Sequence, residues 1–210
     1  IIGGRIIPAF TKSGLARRGI TVQLRGSRWV EILSIASIVA VLLADLAMPL
    51  SAASGAIALV AAIAQTIRLA QWHGHRTARD PLIWVLHLGY AWLVVGLLLK
   101  GIWLLADAPF AEKWIHALTV GAFATMILAV MTRASLGHTG RSLIASRSIA
   151  ICYGLVTAAA LVRVIAPALL PNQYNQIVIV SALLWIAAFA VFLRVFTPIL
   201  VTPRPDGRPE

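Results

Sequence analysis

Two histidines stand inside stretches otherwise apolar enough to cross a bilayer, and they are the first residues here that could do chemistry. His87 lies in PLIWVLHLGYAW, and His116 opens HALTVGAFATMILAVMTRASLGHTGR, which closes on Arg141 after a polar loop holding His138. An ionisable ring in hydrocarbon is costly, so such a group is kept where it works. Neutral imidazole ligates iron and copper and also handles protons. The competing account is a ring that hydrogen-bonds a neighbouring carbonyl and fixes packing. By spacing alone His138 reads as a solvated loop histidine. The pair His73-x-His75 could hold copper weakly, but it reads more readily as part of a basic turn. Met126 and Met131 are soft donors, and in a long apolar helix they read as core filler.

Two charges interrupt other apolar runs at similar depth, Asp45 and Arg163. They read as an interhelical salt bridge or as side chains snorkelling to the interface. A sharper account has Arg163 receive an anionic group, such as a haem propionate, near His116. The single Cys152 excludes an intrachain disulfide and any CxxC metal site, and reads as a small buried side chain. No nucleophile–base pair, phosphate loop or carboxylate dyad occurs.

The elements that must position these groups are membrane spans. The chain of 210 residues is 60% hydrophobic and only 12% charged, too little polar surface for a soluble domain of this size. Several runs reach the ~20 residues that span a bilayer core. The pattern predicts an all-α, multi-pass transmembrane bundle of about six spans, near 29–48, 53–71, 81–104, 112–133, 147–168 and 174–197. Asp80 and Pro81 suit the cap and first position of the third span. Pro49, Pro167 with Pro171, and Pro198 read as stops. Residues 1–28 read as the end of a helix plus a basic loop, 29–200 as the bundle and 201–210 as a polar tail. The opening Ile1-Ile2-Gly3-Gly4 reads as a helix already under way, so an upstream segment is expected.

Net charge is +11. The basic residues fall in every second loop: Arg5 to Arg28, Arg76 and Arg79, Arg133 to Arg147, and Arg204 with Arg208. That is the positive-inside pattern, and it places those loops and the C-terminus in the cytoplasm, with the lipid bilayer, not nucleic acid, as partner. Trp29, Trp72, Trp84, Trp103 and Trp114 fall near span ends and read as interfacial anchors. Ala117, Gly121, Thr125 and Ala129 recur every fourth residue, a stripe that admits a close helix neighbour. His87 sits about two turns in from the cytoplasmic end of its span and His116 about one turn in from the outer end of its own. That leaves roughly 12–18 Å between them in depth, too far to ligate one iron as a pair.

Four stretches together resemble the NnrS family of bacterial membrane proteins. They are GGRIIPAFT from Gly3, PLIWVLHLGYAW from Pro81, the His116–Arg141 run, and PILVTPRPDG from Pro198. The resemblance implies a multi-spanning protein of the bacterial inner membrane, of which this chain looks like the C-terminal half, with the N-terminal half as partner. It implies haem and copper as cofactors and a role in the response to nitric oxide and nitrosative stress, with nitric oxide as the small-molecule ligand. It implies no particular reaction. His87, His116 and His138 fall on the family stretches and become the expected metal ligands, with Arg163 and Tyr90 as expected cofactor contacts. His73 and His75 lie outside them. Two other readings stand beside this one: half of a proton- or solute-conducting transporter, and a structural membrane subunit.

Overall fold

The computed structural model describes residues 2–24, 26–205 and 207 and is helical throughout, with no strand among them. Arg25 and Arg208, two of the basic residues used for orientation, lie outside the described residues. A first helix, α1 (Ile2–Ala16), is followed by α2 (Arg28–Ala47), α3 (Ala52–Ala70) and α4 (Pro81–Ala106). The next, α5, is α-helical at Trp114–His116, π-helical over Ala117–Phe123 and α-helical again over Ala124–His138. Then come α6 (Arg147–Leu169) and α7 (Tyr174–Val201). Six of these helices, α2 to α7, are long and apolar enough to cross a membrane among the described residues. The protein is a multi-pass helical membrane bundle.

Local chemistry starts and stops the spans. The Asp80 carboxylate accepts the Leu82 N–H at 3.1 Å, with Pro81 in the first position. Ser51 and Ser146 cap α3 and α6 in the same way. Asp107 ends α4 in the left-handed region (φ 47°). The helix α6 ends at Leu169, between Pro167 and Pro171 as expected, but one expected stop is not a stop: α7 runs through Pro198 to Val201. A proline removes one N–H and crowds the carbonyl four residues back, which a membrane helix tolerates near its end. His138 is likewise the last residue of α5, not a loop residue.

Short connections make consecutive spans antiparallel neighbours, with α2 on α3, α3 on α4 and α6 on α7. The four-residue stripe of α5 (Ala117, Gly121, Thr125 and Ala129) is buried throughout. The Trp92 ring of α4 lies over Gly121, where any β-carbon would meet it. Gly89 faces Met126 and Gly96 faces Leu118, which fixes the register of α4 against α5. The main core gathers Leu82, Leu86, Leu128, Tyr153, Val156 and Phe196. Large apolar side chains such as Leu42, Leu43, Leu183 and Leu193 point outward, as hydrocarbon solvent permits.

Candidate functional site

One face of α1 is buried: Gly4, Ile7, Thr11, Gly14 and Leu15, spaced by threes and fours. This stripe lays α1 against α4 and the turn Gly74–Thr77 that follows α3. It brings Thr11 to His87. The Thr11 hydroxyl donates to the Ile7 carbonyl at 2.8 Å, and its oxygen lies 2.9 Å from His87 Nε2. A hydroxyl has one hydrogen, and here the Ile7 carbonyl takes it. Nε2 must therefore carry the imidazole proton and donate it to Thr11. That leaves Nδ1 with the lone pair.

His87 Nδ1 is buried and has no hydrogen-bond partner. Gly74 packs against it without a side chain: a β-carbon there would lie 2.7 Å from Nδ1. His73, in the left-handed region (φ 51°), turns the chain into that position. A cavity of about 380 Å³ opens there, lined by His87, Gly74, His75, Leu69, Leu88 and Ala91. Leu88 and Ala91 also line an apolar groove of about 530 Å³ between α4 and α6, so the two spaces adjoin. His75 therefore shares a cavity with His87. Spacing within the His-x-His turn could not reveal this, because the second imidazole comes from another element.

The wall behind His87 is aromatic and charged. Trp72 is 3% exposed. Its ring stands edge-on to His87 (6.3 Å between centroids) and to Tyr90 (4.7 Å). The expectation that Trp72 anchors at the interface is thus corrected: its position near a span end is right, but its face turns inward. Arg68 stacks on Trp72 at 5.6 Å and pairs with Glu31 through Nε at 2.9 Å and through Nη2. Its Nη1 donates to the Tyr90 oxygen at 3.4 Å. Gly4 of α1 leaves room for this guanidinium, which a β-carbon there would overlap. The Tyr90 hydroxyl donates to Gln65, whose amide in turn donates to the Ser34 carbonyl at 2.8 Å. Tyr90, expected as a cofactor contact, thus has its hydroxyl taken up by protein partners. Arg133 completes the docking of α1, lying 4.0 Å over the Phe10 ring with Nη2 donating to Ser13 at 3.4 Å.

The other expected residues lie elsewhere. From the α4–α5 register His116 is level with Leu98, so it stands roughly 16 Å along the axis from His87. It is half-buried and within electrostatic reach of Arg163 and Lys113, so His116 and Arg163 do share a level. His138 is exposed, about 15 Å beyond the level of His87 on α5, and its carbonyl accepts from Arg204 at 2.9 Å. Asp45 does not meet Arg163: it pairs with Lys100 and accepts from Ser54 at 2.7 Å. Lys100 is 2% exposed within α4. Met126 fills the space against Gly89, and Cys152 is buried in the core. Among the described residues no three His, Cys, Asp or Glu side chains cluster as a metal-holding set, so His75 is the one other imidazole at the His87 cavity.

What the arrangement can do follows from the donor set. It offers an imidazole held through Nε2 by the Thr11 hydroxyl, with Nδ1 left unpartnered, a second imidazole on the same cavity, and an adjoining apolar groove. That suits a transition metal or the face of a metal-bearing macrocycle. Comparison with known proteins bears on the family alone. No curated protein and no solved structure matches the chain. A family model described as NnrS protein matches residues 1–204, and so takes in α1, the His87 stretch and all six spans. The chain belongs to the NnrS family.

Proposed function

We propose that this chain is a haem- and copper-binding membrane protein of the nitric oxide response, with His87 as a metal ligand through Nδ1. The carrying observation is the buried Nδ1 without a hydrogen-bond partner, on a ring whose Nε2 meets the Thr11 hydroxyl. The residues present fit such a group: His87 supplies a donor nitrogen that no protein partner takes, Gly74 puts no side chain against it, and His75 lines the same cavity as His87. Leu88 and Ala91 give the metal an apolar surround. A bound haem iron or copper would supply an open coordination position for nitric oxide, a small apolar gas that partitions into lipid. Thr11 holds the ring and its proton. Trp72 and the Arg68–Glu31 pair keep the wall behind it rigid. His116 lies too far along the bundle to share the metal of His87 and belongs to a second position.

Two ion pairs with buried cations give the transporter reading its one support, Glu31–Arg68 and Asp45–Lys100. A packed apolar layer of Ala61, Ala62 and Leu97 separates them. A proton relay would have to cross that layer, so metal binding is the better account of the site.

The test is the visible spectrum and metal content of the purified protein. Wild type is expected to show a Soret band or stoichiometric copper, and His87→Ala to lose it while remaining a folded helical protein. A folded wild-type preparation with neither metal nor haem would overturn the reading. For location we propose the inner membrane, with the arginine-rich end toward the cytoplasm. A reporter fused after Pro171 is expected to be active in the periplasm. A cytoplasmic signal there reverses the orientation.

A further inference from the structure

Of the three buried cations among the described residues, two pair with carboxylates and the third, Arg133, lies over the Phe10 ring and donates to Ser13; half-buried Arg163 has neither a carboxylate nor a hydroxyl partner. Arg68 has Glu31, and Lys100 has Asp45. Lys113 has Glu112 at 3.1 Å. Arg163 of α6 has no carboxylate among the described residues, and its Nη1 is buried without a hydrogen-bond partner. Its contacts are the face of Tyr174 at 5.5 Å and the neighbourhood of His116. A guanidinium left alone within a span is costly enough to demand an anion from outside the bundle.

The height of that anion can be read from the helices. The Ser181 hydroxyl donates to the Ala159 carbonyl at 2.9 Å, which sets α7 against α6. Four residues on, Arg163 is level with Ile177, about one helical turn inside the start of α7 at Tyr174. A long cationic side chain at that depth reaches the headgroup layer. Beside it lies a cavity of about 400 Å³ walled by Val120 of the π-helical segment and by Val178, Ala182, Trp185 and Ile186 of α7. Those α7 positions form one stripe that descends roughly 12 Å toward mid-membrane. Ser181 also lines the cavity, but its hydroxyl is spent on Ala159. The space thus offers one cationic contact at its outer end and an apolar trench below it.

We infer that the cavity beside Arg163 binds a single anionic phospholipid, its phosphate on the Arg163 guanidinium and one acyl chain along Val178, Ala182 and Trp185. A free anion would use the guanidinium and gain nothing from the trench; an amphiphile uses both. The site stands apart from His87 and does not depend on a metal there.

The test is native mass spectrometry of the full chain, delipidated and then titrated with phosphatidylglycerol or phosphatidylcholine in mixed micelles. Wild type is expected to retain one phosphatidylglycerol, with phosphatidylcholine binding about tenfold more weakly, the order of one charge-assisted contact. Arg163→Gln is expected to lose that preference and Arg163→Lys to keep most of it, which separates a headgroup effect from misfolding. Trp185→Ala is expected to weaken both lipids alike. Arg147→Gln, at the other end of α6, is expected to leave retention unchanged. Equal retention of phosphatidylglycerol by wild type and Arg163→Gln would overturn the inference. So would an Arg163→Gln protein that sheds haem or copper while its lipid retention stays intact, since the anion would then be a cofactor carboxylate. Loss of metal in His87→Ala bears on the other proposal alone.

Discussion

Alanine at Asp45 is expected to destabilise the bundle by about 3–5 kcal/mol, whereas methionine at Lys100 is expected to be near neutral. The asymmetry comes from burial. Lys100 is 2% exposed, held between the Asp45 carboxylate and the Trp114 ring at 4.9 Å. Removing Asp45 leaves that ammonium inside the span with only a ring face and no counter-charge. Removing Lys100 leaves Asp45 still accepting from Ser54, on a side chain 39% exposed that can turn outward. The double variant Asp45→Leu with Lys100→Met removes both charges and is expected to match or exceed wild type, because an apolar pair of similar volume needs no desolvation. Thermal unfolding in one detergent, with Asp45→Leu alone added beside these three variants, gives the coupling from the cycle of Asp45→Leu and Lys100→Met. Equal and small effects from both single changes would show that the pair is solvated and not part of the packed interior.

The same pair marks how far the sequence could be read. The six spans were legible because each is a long apolar run, and lipid forces such a run to be helical. The Asp80–Pro81 start and the small-residue stripe of α5 were legible because each depends on neighbours in sequence. What was lost is what depends on partners far apart. Thr11 and His87 are separated by 76 positions, so no local pattern signals their bond. Position near a span end marked Trp72, but that rule says nothing about which side of the helix it faces, and Trp72 faces inward. Asp45 was matched with Arg163 because depth was the only coordinate available; the actual partner, Lys100, lies 55 positions away on another helix. The π-helical segment Ala117–Phe123 has no sequence signal of its own, although His116 stands directly before it. Polar residues in apolar helices were the clue within reach. Glu31, Gln65 and Arg68 each interrupt a span, and all three join the network behind His87.

Valine at Thr11 is expected to lower metal affinity about 10- to 100-fold without removing any metal ligand. The argument turns on one proton. With the Thr11 hydroxyl donating to the Ile7 carbonyl, its oxygen accepts from His87 Nε2, and Nδ1 is left unprotonated beside Gly74. Valine keeps the shape of threonine but accepts nothing, so the ring loses the contact that fixes both its angle and its tautomer. A share of the protein then carries the proton on Nδ1, where a metal would have to displace it. Serine at the same position restores the oxygen and is expected to restore binding. Alanine at Gly74 tests the other nitrogen: its β-carbon would sit 2.7 Å from Nδ1 and 2.9 Å from Cγ, so the ring must move or the approach closes. Gly74→Ala is therefore expected to cost at least as much affinity as Thr11→Val while leaving the Thr11 hydroxyl in place. Both are measured by equilibrium titration of the demetallated protein, with helix content followed by circular dichroism. If Thr11→Val and Gly74→Ala bind as wild type does, Nδ1 is not the donor, and the opened space beside it serves packing alone.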